Sequence, residues 1–152
     1  MARSRVLLVD DEPDILSALK TFLEGSLQVD VVAAPSGAAA LNAMGSTEFD
    51  LVVSDFRMPL MDGMQFLRQA SQLRPEIPRV LMTAFPDMQL ALDALNKASI
   101  RQFLTKPIDP DRLVQLVGEL LSERRRRRQR EDAFGRATQG PRDMERRAAG
   151  LG

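Results

Sequence analysis

The sequence predicts an α/β domain over residues 4–122: a five-stranded, doubly wound parallel sheet with helices on both faces. Three observations predict it. Five short β-rich runs recur, their starts 22, 23, 28 and 23 residues apart. Stretches of helical period separate them. The runs VLLV (6–9) and LVV (51–53) are continuously apolar, as strands covered on both faces are.

The elements follow in order. The first strand, 6–9, leads to a helix on which Ile15, Ala18, Leu19, Phe22 and Leu23 share one face. Asp11 before Pro13 suits its start and Gly25 its stop. The second strand is 28–33, and Ser36 after Pro35 starts a helix over 36–45. The third strand, 51–54, precedes a helix at 63–74, with Asp62-Gly63 in the loop between. The fourth, 79–82, precedes a helix at 87–98. There Met88, Ala91, Leu92 and Leu95 should face the sheet, while Leu90 and Ala94 point elsewhere. The fifth, 102–104, precedes a helix marked by Leu113, Leu116, Val117, Leu120 and Leu121.

Beyond residue 122 the composition changes. Net charge is zero over 152 residues, but residues 1–122 carry 11 Lys and Arg against 16 acids, and residues 123–152 carry 10 Arg against 5 acids. The second segment opens on an unbroken arginine run at 124–128, followed by Arg130. Ala133, Phe134 and Ala137 mark one weak helical turn, and Gly140-Pro141 should break any helix. Residues 123–152 therefore read as an arginine-rich helical extension and flexible tail. The run suits nucleic acid or an acidic partner. A solvated helix end or a linker to an output domain is the favoured reading, because no nucleic-acid-binding module is recognisable.

Composition excludes several chemistries. Without cysteine or histidine there is no disulfide framework, thiol catalysis, serine–histidine triad or imidazole-ligated metal. Any metal must sit on oxygen ligands, which favours magnesium, calcium or manganese. No apolar run approaches the roughly 20 residues that span a bilayer. The basic start before residue 6 does not read as a signal peptide, so the expected location is cytoplasmic.

In an open parallel sheet, ligands bind beyond the carboxyl ends of the strands. The residues there are Asp10-Asp11-Glu12 after strand one, and Asp55, then Asp62-Gly63, after strand three. Thr83-Ala84 follow strand four, and Thr105-Lys106-Pro107 strand five. Singly each has a plain reading: a helix cap, a polar turn, β-propensity, a solvated turn. Together they converge on one edge. Clustered carboxylates raise one another's pKa unless a cation joins them. A carboxylate beside magnesium can act as a nucleophile on phosphorus, with an ammonium and a hydroxyl stabilising the transferring group.

With Val-Asp-Asp-Glu at 9–12, Asp-Phe-Arg-Met-Pro-Leu-Met-Asp-Gly at 55–63, Thr83-Ala84 and Phe-Leu-Thr-Lys-Pro at 103–107, the chain resembles the receiver domains of two-component response regulators, of the single-domain chemotaxis-regulator type. The resemblance covers about residues 4–122 and implies a flavodoxin-like fold. It implies that Asp55 is the phosphoacceptor. Asp11, Asp55 and the backbone carbonyl of Arg57 would ligate Mg2+ (Mn2+ being possible), with Asp10 acting through water. Lys106 would pair with the phosphoryl group, and its bond to Pro107 would be cis. Thr83 and Phe103 would be the switch pair. The donor would be a sensor histidine kinase or phosphotransfer protein. The response would run through the fourth helix, fifth strand and fifth helix, a face that could also meet a second copy or a downstream effector. Nucleic-acid binding by 4–122, membrane association and any external substrate are not expected.

Three departures from the family pattern stand out. Phe103 lacks the hydroxyl of the frequent tyrosine. Ser99-Ile100 replaces Gly-Ala, costing on the order of 1 kcal/mol if that turn needs positive φ. Arg101-Gln102 replaces a common acidic pair. The resemblance further implies that Arg57 and Phe85 would flank the path of the hydrolytic water, and neither can orient one, so slow self-dephosphorylation is expected. A haloacid-dehalogenase-type phosphohydrolase would instead carry Asp-x-Asp after its first strand. A flavodoxin-like FMN carrier would need a hydroxyl- and glycine-rich phosphate loop where this chain has Asp-Asp-Glu-Pro. A receiver fragment of a longer regulator, its basic tail leading to a nucleic-acid-binding or other output domain, is the remaining alternative.

Overall fold

A computed structural model describes residues 3–84, 93, 96 and 99–148, those from 136 onward as backbone alone. The chain divides into two units, Met1–Leu120 and Leu121–Gly152.

The first unit holds five strands: β1 (Ser4–Val9), β2 (Val29–Ala34), β3 (Leu51–Asp55), β4 (Arg79–Thr83) and β5 (Gln102–Thr105). All neighbours are parallel, in the order β2-β1-β3-β4-β5. Among the described residues, three helices with defined bounds lie between strands: α1 (Pro13–Ser26), α2 (Gly37–Ser46) and α3 (Gly63–Leu73). A C-terminal helix runs from Pro110 to Ala148 and crosses the boundary between the units. The helix expected at 87–98, with its two apolar sets, lies outside the described residues apart from Asp93 and Asn96.

Both faces of the central strands are covered. Leu7 and Val9 of β1, Val52 of β3 and Leu81 of β4 form one core with Ala40 and Met44 of α2 and Phe66, Leu67 and Ala70 of α3. Val6, Leu8 and Val53 alternate with them along the same strands and are equally buried. That is why these runs are continuously apolar rather than alternating.

Helix starts differ in how they are made. Ser36 caps α2, its Oγ accepting from the Ala39 amide at 3.1 Å. Asp62 opens α3 in a reciprocal box: its Oδ1 accepts from Gln65 N at 2.8 Å, and Gln65 Oε1 accepts from Asp62 N at 3.0 Å. The expectation that Asp11 starts α1 is corrected. The N-cap is Glu12, with no side-chain cap, and Pro13 supplies the preset φ of the first helical turn. Gly25 is not the stop either. The helix passes through it to Ser26, and the Leu27 amide closes the last turn on the Leu23 carbonyl. The break expected at Gly140-Pro141 is likewise absent. An interior proline loses one amide donor and crowds the carbonyl four residues back, at ~3 kcal/mol, which weakens a helix without forbidding it.

Arg79 is the unusual member of β4. Its side chain is buried at the sheet's lower edge, where Nη1 donates to the carbonyls of Ile77 (2.7 Å), Arg74 (3.3 Å) and Pro75 (3.4 Å), and Nη2 to that of Ser99 (3.5 Å). Burial lowers its pKa, and the charge of Glu76 works the other way. The clamp ties the α3–β4 loop to the turn before β5. There Ser99 takes φ 50°, the strained left-handed geometry its replacement of glycine implied.

Candidate functional site

The chain reverses strand order at β1. From there β2 is added on one side, while β3, β4 and β5 follow on the other. Such a switch point opens a crevice beyond the strand ends. The register fixes what enters it. Val9 lies opposite Ser54, so Asp10 comes level with Asp55, which itself lies opposite Met82. Thr83 is opposite Thr105, and the Lys106 amide donates to the Thr83 carbonyl at 2.9 Å. Residues from four strand ends thereby share one edge.

Asp10, Asp11 and Asp55 converge there, each offering a carboxylate oxygen within 4.8 Å of the others. Asp10 is fully buried and Asp55 nearly so, while Asp11 is half-buried. Lys106 reaches between two of them, its Nζ 2.9 Å from Asp55 Oδ1 and 3.4 Å from Asp10 Oδ2. The other oxygen of Asp10 accepts from the Glu12 amide at 2.9 Å, which fixes the turn carrying Asp11. The Lys106–Pro107 peptide bond is cis.

The electrostatics follow from this crowding. Burial pushes the Asp55 carboxyl above its ordinary value. The Lys106 hydrogen bond opposes that shift, and the charge of Asp10 adds to it. Burial also works against the charged Lys106, but the hydrogen bond and charge of Asp55, joined by Asp10, outweigh it and raise its pKa. The site therefore holds an excess of negative charge that one ammonium does not cancel. Three hard oxygen donors with such an excess fit a small divalent cation, magnesium or manganese. Asp10, Asp11 and Asp55 are the side chains placed to hold it.

The loop after β3 forms the outer wall. An open groove there is lined by Asp11, Phe56, Arg57, Met58, Pro59 and Asp62. Arg57 is exposed. Gly63 sits so close under Asp55 that a side-chain carbon there would run into the Asp55 carbonyl, with Phe56 Cα at 2.9 Å. Its amide donates to the Phe56 carbonyl at 2.7 Å. Thr83 is buried at the end of β4. Phe103, half-buried, packs against the core on the α2–α3 face. Phe85 lies outside the described residues.

Sequence reasoning named Asp10, Asp11, Asp55, Thr83 and Lys106, and the structure gathers them. It gave Gly63 no role beyond a turn and did not separate Leu60 from its neighbours. Leu60 has φ 70° and a fully exposed side chain. Its place between Pro59 and Met61 was the available signal, since a tight turn after proline often needs positive φ.

Residues 6–118 match the family model described as response regulator receiver domain. The chain belongs to that family. Among curated relatives it is 38% identical to the transcriptional regulatory protein GlrR of Escherichia coli over 120 residues, covering 79% of this chain and 27% of that protein. It is 36% identical to the response regulator protein PilR of Pseudomonas aeruginosa over 121 residues, covering 80% and 27%. The chain thus spans about a quarter of the length of these relatives. Among solved structures, the signal receiver domain of an HD domain-containing protein from Pseudomonas fluorescens superposes with a TM-score of 0.77 at 33% identity, covering 82% of this chain and 98% of that one. A CheY-like receiver domain protein from Methanospirillum hungatei gives 0.78 at 28% identity, covering 83% and 99%. The receiver fold, a flavodoxin-like α/β sheet, is therefore shared with signalling domains. The phosphohydrolase alternative is not favoured.

Proposed function

We propose that this receiver domain is a phosphorylation-driven switch with Asp55 as the acceptor. The observation that carries the reading is the Lys106 ammonium seated between Asp55 and Asp10, with Asp11 completing a three-carboxylate set. A carboxylate oxygen of Asp55 attacks the phosphorus of a phosphohistidine on a sensor kinase or phosphotransfer protein, the acyl phosphate forms as the P–N bond breaks, and the histidine leaves as imidazole, its ring nitrogen taking up a proton. Lys106 is in place to pair with the incoming phosphoryl oxygens, and the Thr83 hydroxyl is the nearby donor on β4. A divalent cation held by Asp11, Asp55 and the Arg57 carbonyl, with Asp10 acting through water, would supply charge neutralisation for the transferring group. Phosphorylation replaces the singly charged Asp55 carboxylate by an acyl phosphate carrying about −1.5 to −2, a net gain of about one negative charge or less. That shifts a two-state equilibrium in which Thr83 and Phe103 move together and the face around β5 is remodelled for a second copy or an effector. No external substrate is turned over. A cytoplasmic location accompanies this reading, because phosphohistidine is formed from ATP. So does the division into a receiver domain at 4–122 and an arginine-rich extension at 123–152.

Mass spectrometry after incubation with magnesium and acetyl phosphate tests the proposal. One added phosphoryl group is expected, absent from Asp55→Asn and lost from Asp11→Ala. Phosphorylation of Asp55→Asn to the native extent would overturn the acceptor assignment.

A further inference from the structure

The arginine run after the receiver domain has no part in the site above. Residues 124–130 are helical and contain six arginines in seven positions. Arg125, Arg126, Arg127, Arg128 and Arg130 are exposed. A solvated helix is best served by opposite charges three and four positions apart. This run sets like-charged pairs at 124/128, 126/130, 124/127, 125/128 and 127/130 against opposite-charge pairs at 123/126, 123/127, 127/131, 128/131 and 128/132. Glu123, Glu131 and Asp132 flank the run, but neither Arg125 nor Arg130 has an acid three or four positions away. Arg125 and Arg130 thus gain no opposite charge at those spacings from their own helix, and exposed cations at this density form a strongly positive surface suited to a polyanion.

The geometry selects the polyanion. At about 1.5 Å rise per residue, six charges in seven positions give roughly one cation per 1.7 Å. Duplex DNA carries one phosphate charge per about 1.7 Å of axis. Five consecutive residues on a helix point to all sides of it. A flat anionic membrane meets one side only, and insertion needs an apolar face, whereas residues 123–132 contain no apolar side chain. A duplex groove places phosphates on both flanks of a helix lying in it. Guanidinium groups, planar and always charged, pair with phosphate oxygens bidentately.

We infer that the helix around arginines 124–130 binds the phosphate backbone of duplex DNA without reading its sequence. The inference goes beyond the proposed phosphoacceptor role and does not depend on it. The full chain is titrated into labelled duplexes of two unrelated sequences while fluorescence anisotropy is followed. Binding of both is expected at about 50 mM salt, with a log–log salt slope of about −4 for four to five phosphate contacts. Replacing arginines 124–128 by glutamine preserves helix propensity and should cost at least about tenfold in affinity and flatten the slope toward −1. Replacing them by lysine preserves charge and should keep the slope within about one unit of native, so lost helix in the glutamine variant cannot imitate lost contact. Three results would overturn the inference: no binding at low salt, a glutamine variant that binds as the native chain does, or phosphatidylserine vesicles competing as well as duplex at equal phosphate.

Discussion

The Lys106 ammonium sits 2.9 Å from Asp55 Oδ1 and only 3.4 Å from Asp10 Oδ2, so a single cation serves two buried carboxylates. The imbalance has a measurable consequence. Burial raises the Asp55 pKa above its ordinary 3.8. The folded state then holds the Asp55 proton to higher pH than the unfolded chain does. The associated stability is complete below the ordinary value and is lost as pH rises through the folded value. Lys106, also raised, loses its contribution only in alkali, as pH climbs past 10.5 toward its folded value, so it does not blur the acid window.

Asp55→Asn removes the titrating charge at nearly constant shape. In a chelator, to remove divalent ions, native and variant should unfold at similar urea concentrations near pH 4. By pH 7 the variant should be ahead by on the order of 1 kcal/mol. Magnesium should then stabilise the native chain, through binding linkage, more than the variant. A native chain that gains on Asp55→Asn as pH rises would mean that the Lys106 attraction exceeds the burial penalty.

Two glycines predict opposite outcomes for the same substitution. At Gly63 an added Cβ meets only backbone, the Asp55 carbonyl and Phe56 Cα, so α3 must back away from the site. Gly63→Ala should lose about 2 kcal/mol or more and phosphorylate poorly even where it is folded. At Gly25 nothing lies within 4 Å and the residue is inside α1. Gly25→Ala should gain about 0.5–1 kcal/mol by removing a helix-interior glycine. Thermal unfolding of both variants checks the contrast.

Those two positions also show what a sequence can and cannot carry. The five strands of a parallel sheet and the convergence of Asp10, Asp55, Thr83 and Lys106 were legible because burial on both faces writes continuous apolar runs, whereas the order β2-β1-β3-β4-β5 was not written in them. The residue after each such run lands on the same edge. The role of Gly63 was not legible. A glycine before a helix reads as a turn, and only the distance to the Asp55 carbonyl reveals a close packing contact. Gly25 misled because a helix can end on ordinary residues when the last amide closes on the Leu23 carbonyl. Arg79 was hidden for a similar reason. A charged residue opening a strand looks exposed until four backbone carbonyls are found around it.

Leu60 predicts a gain. Its φ is 70°, the Met61 amide donates to the Pro59 carbonyl at 2.8 Å across it, and its side chain is fully exposed. A non-glycine residue in left-handed geometry costs about 1–2 kcal/mol, and no burial offsets it here. Leu60→Gly gives back part of that through relief of strain and loses part through unfolded-state entropy. The expected net gain is about 0.5–1 kcal/mol, read as a higher urea midpoint with an unchanged slope. A lower midpoint would show that the Leu60 side chain is held by contacts worth more than its backbone strain.

The last prediction concerns how long the phosphorylated state persists. Loss of the phosphoryl group needs a water in line with the bond between phosphorus and the Asp55 oxygen, and Arg57 and Phe85 flank that path by family resemblance. The structure places Arg57 on the exposed wall of the groove that also contains Asp11 and Asp62. On that wall, its guanidinium is the group that would meet a phosphoryl oxygen on Asp55. Such a contact stabilises the phosphorylated ground state, and it speeds hydrolysis only if it strengthens in the transition state. An arginine supplied to a transferring phosphoryl group can do that, but only where another group orients the water, and neither arginine nor phenylalanine can act as that base. The native chain should therefore decay slowly. Arg57→Asn with Phe85→Glu, which supplies polar groups able to hold a water, should shorten the lifetime about tenfold, equivalent to about 1.4 kcal/mol of barrier. Decay of the phosphorylated protein in magnesium buffer measures it, with Arg57→Asn alone separating the two positions. If the double variant decays no faster than the native chain, Arg57 and Phe85 do not shield the acyl phosphate, and its lifetime is set by Lys106 and the carboxylates alone.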